Sequence, residues 1–306
     1  MKENTFIARY AFEKIKKGMG FFMKIVLVKK KRLLFLCFTI LLIIIILACF
    51  FLFSNKIIKD KEHDLPFIPT ASSYSFSELY QEFRSNNNMI LTPEKKNKIT
   101  NIYEQKEKIA YLTFDDGPTN KCTPEILDIL KENHILATFF VIGKRVEQNP
   151  EFVKRAYEEG HFIANHTYSH QDQKLYQNRE SFFEEILKTD KAISNAIGIE
   201  NYHSHLFRFP CGSMVNYNVK KKYISYLEEI DYTYLDWNCL NNDGIQKASS
   251  ATLLQYLKDT SKNKNTLVVL MHDSGDLNLT QNVLQSSIDY LRSKGYTFKN
   301  MQDFIF

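Results

Sequence analysis

From residue 108 onward, the chain alternates between short apolar runs and longer segments in which apolar residues recur every three or four positions. Short runs rich in β-branched and aromatic side chains predict buried strands, and the longer spacing predicts amphipathic helices. The predicted strands span 109–114, 137–142, 162–165, 206–209, 233–237, 266–271 and 296–298. The predicted helices span 124–132, 150–159, 180–196, 217–229, 251–261 and 280–293, the first with Thr123 as its N-cap before Pro124.

Strands that alternate with helices predict an α/β fold with a parallel sheet. We expect an incomplete (β/α)7 barrel that occupies residues 107–306, with its chemistry at the carboxyl ends of the strands. A doubly wound open sheet is the alternative, because hydrophobic periodicity does not distinguish the two architectures.

The apolar pattern of residues 33–53 is different, since it contains no charge over 21 residues and no polar stripe. About 20 such residues suffice to cross a bilayer, so this segment predicts a transmembrane helix. A cleaved signal peptide is the rival interpretation, but the run ends without a small-residue cleavage site. The basic cluster at 29–32 predicts a single-pass protein of the cell membrane with a cytosolic N-terminus and an extracellular domain.

Residues 54–106 are rich in polar side chains and predict an extracellular stalk, with a short helix near 76–84. As a flexible coil it would span about 40 Å. A small packed subdomain is the alternative for this stretch.

Charge is distributed unevenly, because the basic tail at 1–32 holds ten of the 40 Lys and Arg residues and two of the 35 acidic ones. The basic excess therefore belongs to the tail and does not favour nucleic-acid binding. The exported part has three cysteines, Cys122, Cys211 and Cys239, which do not form a disulfide framework. One hypothesis is that Cys122 and Cys211 approach each other and that their oxidation gates a site.

Two short motifs carry the strongest chemical signal. Residues 113–117 read Thr-Phe-Asp-Asp-Gly, which leaves Asp115 and Asp116 at the end of a strand, and His166 and His170 follow another strand four residues apart. One carboxylate and two imidazoles can bind a divalent metal ion and leave positions open for water and substrate. The second carboxylate is then available as a base, which indicates metal-assisted hydrolysis. Two unrelated surface histidines are the alternative for the His pair.

Three further strands also end in polar side chains: Arg208 after the fourth, Asp236 after the fifth and His272 after the sixth. The carboxyl ends of parallel barrel strands share one face, where barrel enzymes hold their active sites. We therefore expect these side chains to lie near the predicted metal site.

In this order the motifs resemble the polysaccharide deacetylase family, also known as the NodB-homology domain or family 4 carbohydrate esterases. The resemblance covers about residues 107–306. Five motifs carry it: Thr-Phe-Asp-Asp-Gly at 113–117, His-Thr-Tyr-Ser-His at 166–170, Arg-Phe-Pro-Cys-Gly at 208–212, Asp-Trp at 236–237 and Leu-Met-His at 270–272.

This resemblance implies a role for each residue of the motifs. Asp116, His166 and His170 are expected to bind the ion, most often Zn²⁺, although Co²⁺ or a similar ion can replace it in the family. Asp115 is the expected general base and His272 the expected general acid that protonates the leaving amine. Two more residues are expected to support them: Arg208 by pairing with the base, and Asp236 through the charge network around the catalytic pair.

The same resemblance predicts the substrate pocket. The backbone N–H of Cys211 is expected to stabilise the oxyanion, with Pro210, Trp237 and Leu270 lining the pocket. The family often has Tyr or Gly where this chain has Cys211. Because the donor is a main-chain amide, we expect activity to survive this difference and the acetyl pocket to change shape.

The expected function is hydrolysis of the N-acetyl group from an amino-sugar polymer by a membrane-anchored enzyme. An anchor beside a wall favours N-acetylglucosamine of peptidoglycan as the glycan partner, and the sequence indicates no protein partner. N-acetylmuramic acid, a chitin-like polymer and an exopolysaccharide are alternative substrates. An acetyl-ester hydrolase and a silent glycan-binding module are alternative functions.

Overall fold

The centre of the fold is strand β1 (Ile109–Asp115), which is buried along its whole length. Seven more strands follow in the chain: β2 (Thr138–Val141), β3 (Phe162–Asn165), β4 (Leu206–Phe207), β5 (Thr233–Tyr234), β6 (Cys239–Leu240), β7 (Thr266–His272) and β8 (Thr297–Lys299). The computed structural model describes residues 70–86, 91–244, 248–274 and 280–305, all of which lie in one compact unit.

All the strand pairs are parallel, in the order β5-β4-β3-β2-β1-β7-β6, with β8 paired to the first residues of β1. Strands β2 to β5 follow β1 in order on one side, while β7 pairs with the other side of β1 and β6 pairs with β7. The strands therefore follow one another in a single rotational sense. This succession is that of a barrel and not of a doubly wound sheet. No ladder joins β5 to β6 within the described residues, so the sheet is an open, curled half-barrel.

Eleven α-helices lie within the described ranges: α1 (Phe76–Asn86), α2 (Pro93–Thr100), α3 (Thr123–Glu132), α4 (Gly143–Gln148), α5 (Pro150–Glu158), α6 (Asp172–Leu175), α7 (Arg179–Ile197), α8 (Tyr217–Glu229), α9 (Ser250–Ser261), α10 (Thr280–Ser293) and α11 (Gln302–Ile305). The seven predicted strands and six predicted helices are confirmed with shifted ends. Strand β6 and the helices α2, α4, α6 and α11 were not predicted. The N-cap position before α3 belongs to Cys122, so the prediction that Thr123 caps this helix is wrong by one residue.

The two faces of the sheet have different environments because successive side chains of a strand point to opposite faces. Ala110, Leu112 and Phe114 of β1 pack outward in the larger core beneath the helices. Ile109 and Tyr111 face the inside of the curl and pack in a second cluster. By the same alternation Thr113 and Asp115 continue the inner row, so the first carboxylate of the motif points into the concave side of the sheet.

Residues 70–86 and 91–106 pack against the sheet and helices and do not form a flexible coil. Helix α1 buries Leu79 and Phe83 in the aromatic cluster that α7 and α8 share. Leu91, Ile99 and Ile102 are buried in the inner cluster beneath the half-barrel. The packed alternative is therefore the one that describes this part of the predicted 54–106 stalk, and the predicted short helix near 76–84 is present as α1.

Among the helices of the described ranges, none has both the length and the apolar character that crossing a bilayer requires. The predicted basic tail at 1–32, the predicted anchor at 33–53 and the first part of the predicted stalk, 54–69, lie outside the described residues.

The packing of the N-terminal segment predicts the effect of an alanine substitution. We expect Ile102→Ala to lower the free energy of unfolding by about 2–5 kcal/mol, because Ile102 is fully buried in the inner cluster. Ile199→Ala is the control, since Ile199 is 38% exposed, and it should cost less than about 0.5 kcal/mol. Urea denaturation followed by circular dichroism measures both. Equal stability of the two variants would mean that the segment is not part of the fold.

Candidate active site and metal centre

Two imidazoles and one carboxylate meet at the carboxyl ends of β1 and β3. Asp116 directly follows β1 with a φ of 74°, and His166 directly follows β3. Asp116 Oδ1 lies 3.4 Å from His166 Nε2 and 3.3 Å from His170 Nε2. One ligand atom from each of the three residues lies within 4.8 Å of the others. The structure thus brings together the three side chains that the sequence predicted as metal ligands.

The hydrogen bonds around this cluster direct lone pairs towards its centre. His166 Nδ1 lies 2.8 Å from the carbonyl oxygen of Arg208, which can only accept, so Nδ1 carries the proton and Nε2 presents a lone pair. Burial and the neighbouring His166 ring lower the pKa of His170, which favours its neutral form. Asp116 Oδ1 is buried and has no hydrogen-bond partner. A buried carboxylate oxygen beside two imidazole nitrogens fits a divalent cation such as Zn²⁺.

The backbone between the two histidines is fixed by a residue that sequence reasoning missed. Glu185 of α7 is fully buried, and its Oε2 accepts hydrogen bonds from the N–H groups of Tyr168 at 3.1 Å and Ser169 at 2.7 Å. Thr167 Oγ1 accepts from the N–H of His170 at 2.9 Å. A carboxylate on an adjacent helix thus holds the turn that carries the second ligand. The sequence did not indicate this role, because a glutamate in the middle of a helix is common and nothing in the pattern of α7 distinguishes Glu185.

The other carboxylate of the first motif forms a buried ion pair. Asp115 Oδ1 lies 2.8 Å from Nη1 of Arg208, the pair that the resemblance implied. The guanidinium is fully buried and also donates to Thr113 Oγ1 at 2.7 Å and to the Leu235 carbonyl oxygen at 2.8 Å. Asp115 Oδ2 lies 4.0 Å from His166 Nε2, so its second oxygen faces the metal cluster. The buried carboxylate thus has a direct counter-charge on one oxygen and leaves the other towards the metal cluster.

His272 is paired with a carboxylate that the sequence analysis did not predict. The ring Nδ1 of His272 lies 2.6 Å from Asp243 Oδ1, and the backbone N–H of His272 donates to Asp243 Oδ2 at 2.8 Å. Burial would lower the pKa of His272, but Asp243 outweighs it, with smaller contributions from Asp115 and Asp116, and raises the pKa to about 9. The imidazole is therefore protonated at neutral pH, as a general acid must be.

Asp236 was expected in the charge network of the catalytic pair, and the structure gives it different contacts. Its carboxylate accepts hydrogen bonds from the Ser213 N–H at 3.0 Å and the Ser213 hydroxyl at 2.5 Å. Its carbonyl oxygen accepts from Arg208 Nη2 at 3.3 Å. No hydrogen bond or ion pair joins Asp236 to His272. Asp243 was missed because it lies in a loop just after the unpredicted strand β6, where no periodic pattern marks it.

The residues predicted for the pocket lie around the same edge. Leu270 shares the inner side of β7 with Val268 and His272, at alternate positions, and Trp237 packs at the border of the inner cluster. Pro210 is buried, whereas Cys211 is exposed and has a φ of 59°.

The cysteine hypothesis gains no support from the structure. Cys122 is buried and its Sγ lies 3.2 Å from Gln281 Oε1, while Cys211 is exposed. Neither of them, nor Cys239, forms a disulfide.

A steric constraint explains the glycine at position 117 of the first motif. A Cβ at Gly117 would lie 2.2 Å from Oδ2 of Asp273, the carboxyl group that follows His272. Burial raises the pKa of Asp273 to about 8, and the Thr123 hydroxyl donates to it at 2.6 Å. The Thr123 hydroxyl therefore binds the Asp273 carboxyl group and does not cap α3. Only glycine at position 117 leaves room for that carboxyl group beside Asp116.

Comparisons with known proteins agree with this geometry. A model of the polysaccharide deacetylase family matches residues 103–235. The chain is 31% identical over 210 residues to a peptidoglycan-N-acetylmuramic acid deacetylase of Bacillus subtilis (strain 168), covering 66% of this chain and 73% of that protein. It is 33% identical over 192 residues to a peptidoglycan-N-acetylglucosamine deacetylase of Listeria monocytogenes, covering 63% of this chain. This second match spans only 38% of the length of the Listeria protein.

The fold is also similar to a solved structure, that of a CE4 esterase from Streptococcus mutans. The TM-score is 0.60 at 27% sequence identity, over 71% of this chain and 93% of that one. The chain therefore belongs to the polysaccharide deacetylase family, and the resemblance predicted from the five motifs is confirmed.

The metal cluster predicts a test by direct binding. We expect the wild-type chain to bind Zn²⁺ and His170→Ala to bind it at least about 100-fold more weakly, since even outer partners of a metal ligand contribute 10–100-fold. Equilibrium dialysis measures both affinities. The control is His161→Ala, which removes another buried imidazole that accepts from the Ala137 N–H, away from the cluster. Unchanged Zn²⁺ affinity in His170→Ala would refute the site.

The His272–Asp243 pair predicts a change in the pH dependence of activity. His272 is an acid only below its pKa, and the charge of Asp243 raises that pKa. Asp243→Asn should therefore move the alkaline limb of kcat to lower pH by about 1–3 units. A pH profile of kcat measures the shift, with Asp236→Asn as the control because Asp236 does not contact His272. An alkaline limb at the same pH in Asp243→Asn and the wild type would contradict this pairing.

Proposed function

We propose that this chain hydrolyses the N-acetyl groups of an amino-sugar polymer and that N-acetylglucosamine of peptidoglycan is its first substrate. One observation carries the proposal: a base and an acid flank the three candidate metal ligands on adjacent strands. Asp115 and His272 are direct partners in the β1–β7 ladder, where neighbouring strands lie about 4.8 Å apart. Each has its own buried counter-charge, Arg208 for Asp115 and Asp243 for His272.

The residues of the chain divide the reaction among them. Asp116, His166 and His170 would hold a divalent ion, which supplies polarisation of the amide carbonyl and a more acidic water when it is bound. Asp115 takes the proton from the attacking water, and Arg208 pairs with this carboxylate and holds it in place. His272 delivers a proton to the nitrogen of the departing amine, with Asp243 holding its Nδ1–H so that Nε2–H is the donor. The Cys211 N–H stabilises the oxyanion.

A second substrate is supported by a specific observation. The relative from Bacillus subtilis is a deacetylase of N-acetylmuramic acid, and it matches as much of this chain as the N-acetylglucosamine enzyme does. The silent glycan-binding alternative is less well supported, because the three candidate metal ligands, the base and the acid are all present. Chitin-like polymers, exopolysaccharides and acetyl esters remain substrates for the assay to compare.

We also propose that residues 33–53 anchor the protein in the cell membrane and that the enzyme domain lies outside the cell. The uncharged run and the basic cluster that precedes it support this proposal. Protease treatment of intact cells tests it, since an external domain should be cleaved without lysis.

Acetate release tests the activity. The wild-type chain should release acetate from purified peptidoglycan or chitin oligomers, and a chelator should stop the release. Asp115→Asn should lower kcat by about 10²–10⁴-fold because the base is lost, while Zn²⁺ binding stays intact. Asp116→Asn should lose both activity and metal.

The control for these carboxylate variants is Asp128→Asn. Asp128 is a surface carboxylate paired with Arg155, and its side chain is 64% exposed. It should behave as the wild type. Substantial turnover in Asp115→Asn would refute the assignment of the base, and no acetate from any glycan by metal-loaded wild type would favour a binding module.

A further inference from the structure

A buried lysine lies behind the loop that carries the expected oxyanion donor. Lys220, in the first turn of α8, is 2% exposed. Its Nζ donates to the carbonyl oxygen of Pro210 at 2.8 Å and to that of Gly212 at 2.6 Å. One ammonium group therefore binds the peptide unit that carries the Cys211 N–H and the unit between Gly212 and Ser213.

The planarity of the peptide bond makes this contact directional. In a trans peptide the C=O and the N–H of the same unit point in opposite directions. The peptide between Gly212 and Ser213 illustrates this, because its carbonyl faces Lys220 and its N–H donates to Asp236 Oδ1 at 3.0 Å on the other side. The peptide between Pro210 and Cys211 also turns its carbonyl to Lys220. The N–H of Cys211 must therefore point away from Lys220.

The remaining hydrogen bonds of the loop leave this N–H available. The Gly212 N–H donates to the Phe209 carbonyl oxygen at 2.8 Å, and the Ser213 N–H is taken by Asp236. The Cys211 N–H has no acceptor among the described residues. Arg208, three residues earlier, contacts both Asp115 and His166, so the loop begins at the catalytic edge.

The backbone of this loop requires such a support. Cys211 and Gly212 have φ values of 59° and 77°, two consecutive residues in the left-handed region. That conformation is costly for a residue with a Cβ, and it persists only when the surroundings hold it. A positive charge on a carbonyl oxygen also polarises its amide and makes the N–H of the same unit a stronger donor, most of all where water is excluded.

We propose that Lys220 is a positioning residue for the oxyanion-stabilising N–H of Cys211: by binding the Pro210 and Gly212 carbonyls it orients and polarises that amide for the tetrahedral stage of acetyl hydrolysis. This role rests on the proposed function, because it assigns a task within that reaction. The competing explanation is that Lys220 satisfies two buried carbonyls and supports folding alone. The two differ in what is lost when the ammonium is removed from a chain that still folds.

The test compares Lys220→Met with Lys221→Met in the full-length, Zn²⁺-loaded chain in detergent. Methionine keeps the unbranched length of lysine without its donors, and the control changes an exposed lysine of the same helix. Kinetics on chitin oligomers should show kcat reduced by about tenfold or more in Lys220→Met with KM within about twofold. That loss is smaller than the 10²–10³ seen when an oxyanion donor is removed outright.

A second readout is independent of activity. Labelling with ¹⁵N-cysteine gives amide signals from the five cysteines of the chain, and Cys211→Ala identifies the signal of Cys211. Lys220→Met should displace the Cys211 amide signal and leave those of Cys122 and Cys239 in place. Lys221→Met should displace none of them.

Each outcome decides for or against the proposal. A wild-type kcat in Lys220→Met, a change confined to KM or an unmoved Cys211 signal overturns it, and so does a shift of all the cysteine signals with a lower Tm. Should Lys220→Met not fold, Lys220→Gln, which keeps a shorter donor, is measured in the same way. If the wild type releases no acetate, the proposed function fails, whereas the amide signal still reports whether Lys220 controls the loop.

Discussion

The buried guanidinium of Arg208 is the interaction on which the rest of the site depends. It binds Asp115 and Thr113 of β1 and the carbonyl oxygen of Leu235 just beyond β5, while its own carbonyl oxygen accepts from His166. One residue thus connects the carboxyl ends of neighbouring strands, the proposed base Asp115 and the candidate metal ligand His166. The Phe140 ring lies 4.0 Å from the guanidinium carbon, which keeps water from its face.

Stability does not explain such a pair. Bringing two charges out of water costs as much as their attraction returns, and apolar replacements are often as stable. What the pair provides is a fixed position and a buried counter-charge for Asp115 at the concave end of the sheet. The same holds for Asp243 and His272, where the buried carboxylate favours the protonated imidazole. The fold thereby places a buried carboxylate and a protonated imidazole, each with its own counter-charge, on adjacent strands.

The sequence revealed those parts of the site in which chemistry follows directly from a strand end. Asp116 and His166 each follow a strand, and the carboxyl ends of parallel strands meet at one edge, so their proximity could be predicted. Asp243 and Glu185 could not be, because one lies in a loop and the other at an ordinary helix position. Each of them matters because of the residues it contacts in the folded chain. A pattern of residue types along the sequence does not show such contacts.

The N-terminal segment was misjudged for a different reason. Its apolar residues are few, but Leu79 and Phe83 lie four positions apart on α1, and Ile99 near the end of α2 is followed by Ile102 just beyond that helix. Both pairs are buried. Mean composition hides such sparse patterns. The curled sheet is open on its concave side, where the inner cluster would otherwise expose apolar side chains. Residues 91–106 pack against that cluster and cover it.

The charges around Asp116 fit a cation at the centre of this arrangement. Asp115 is compensated by Arg208, and Asp243 is compensated by His272. The lowered pKa of His170 leaves its imidazole neutral, so it offers a lone pair and no charge. Asp116 lies beside two imidazoles and forms no ion pair with a Lys or Arg of the described residues, and its buried Oδ1 has no hydrogen bond. A divalent ion would offset the charge of Asp116 at the point where these side chains meet.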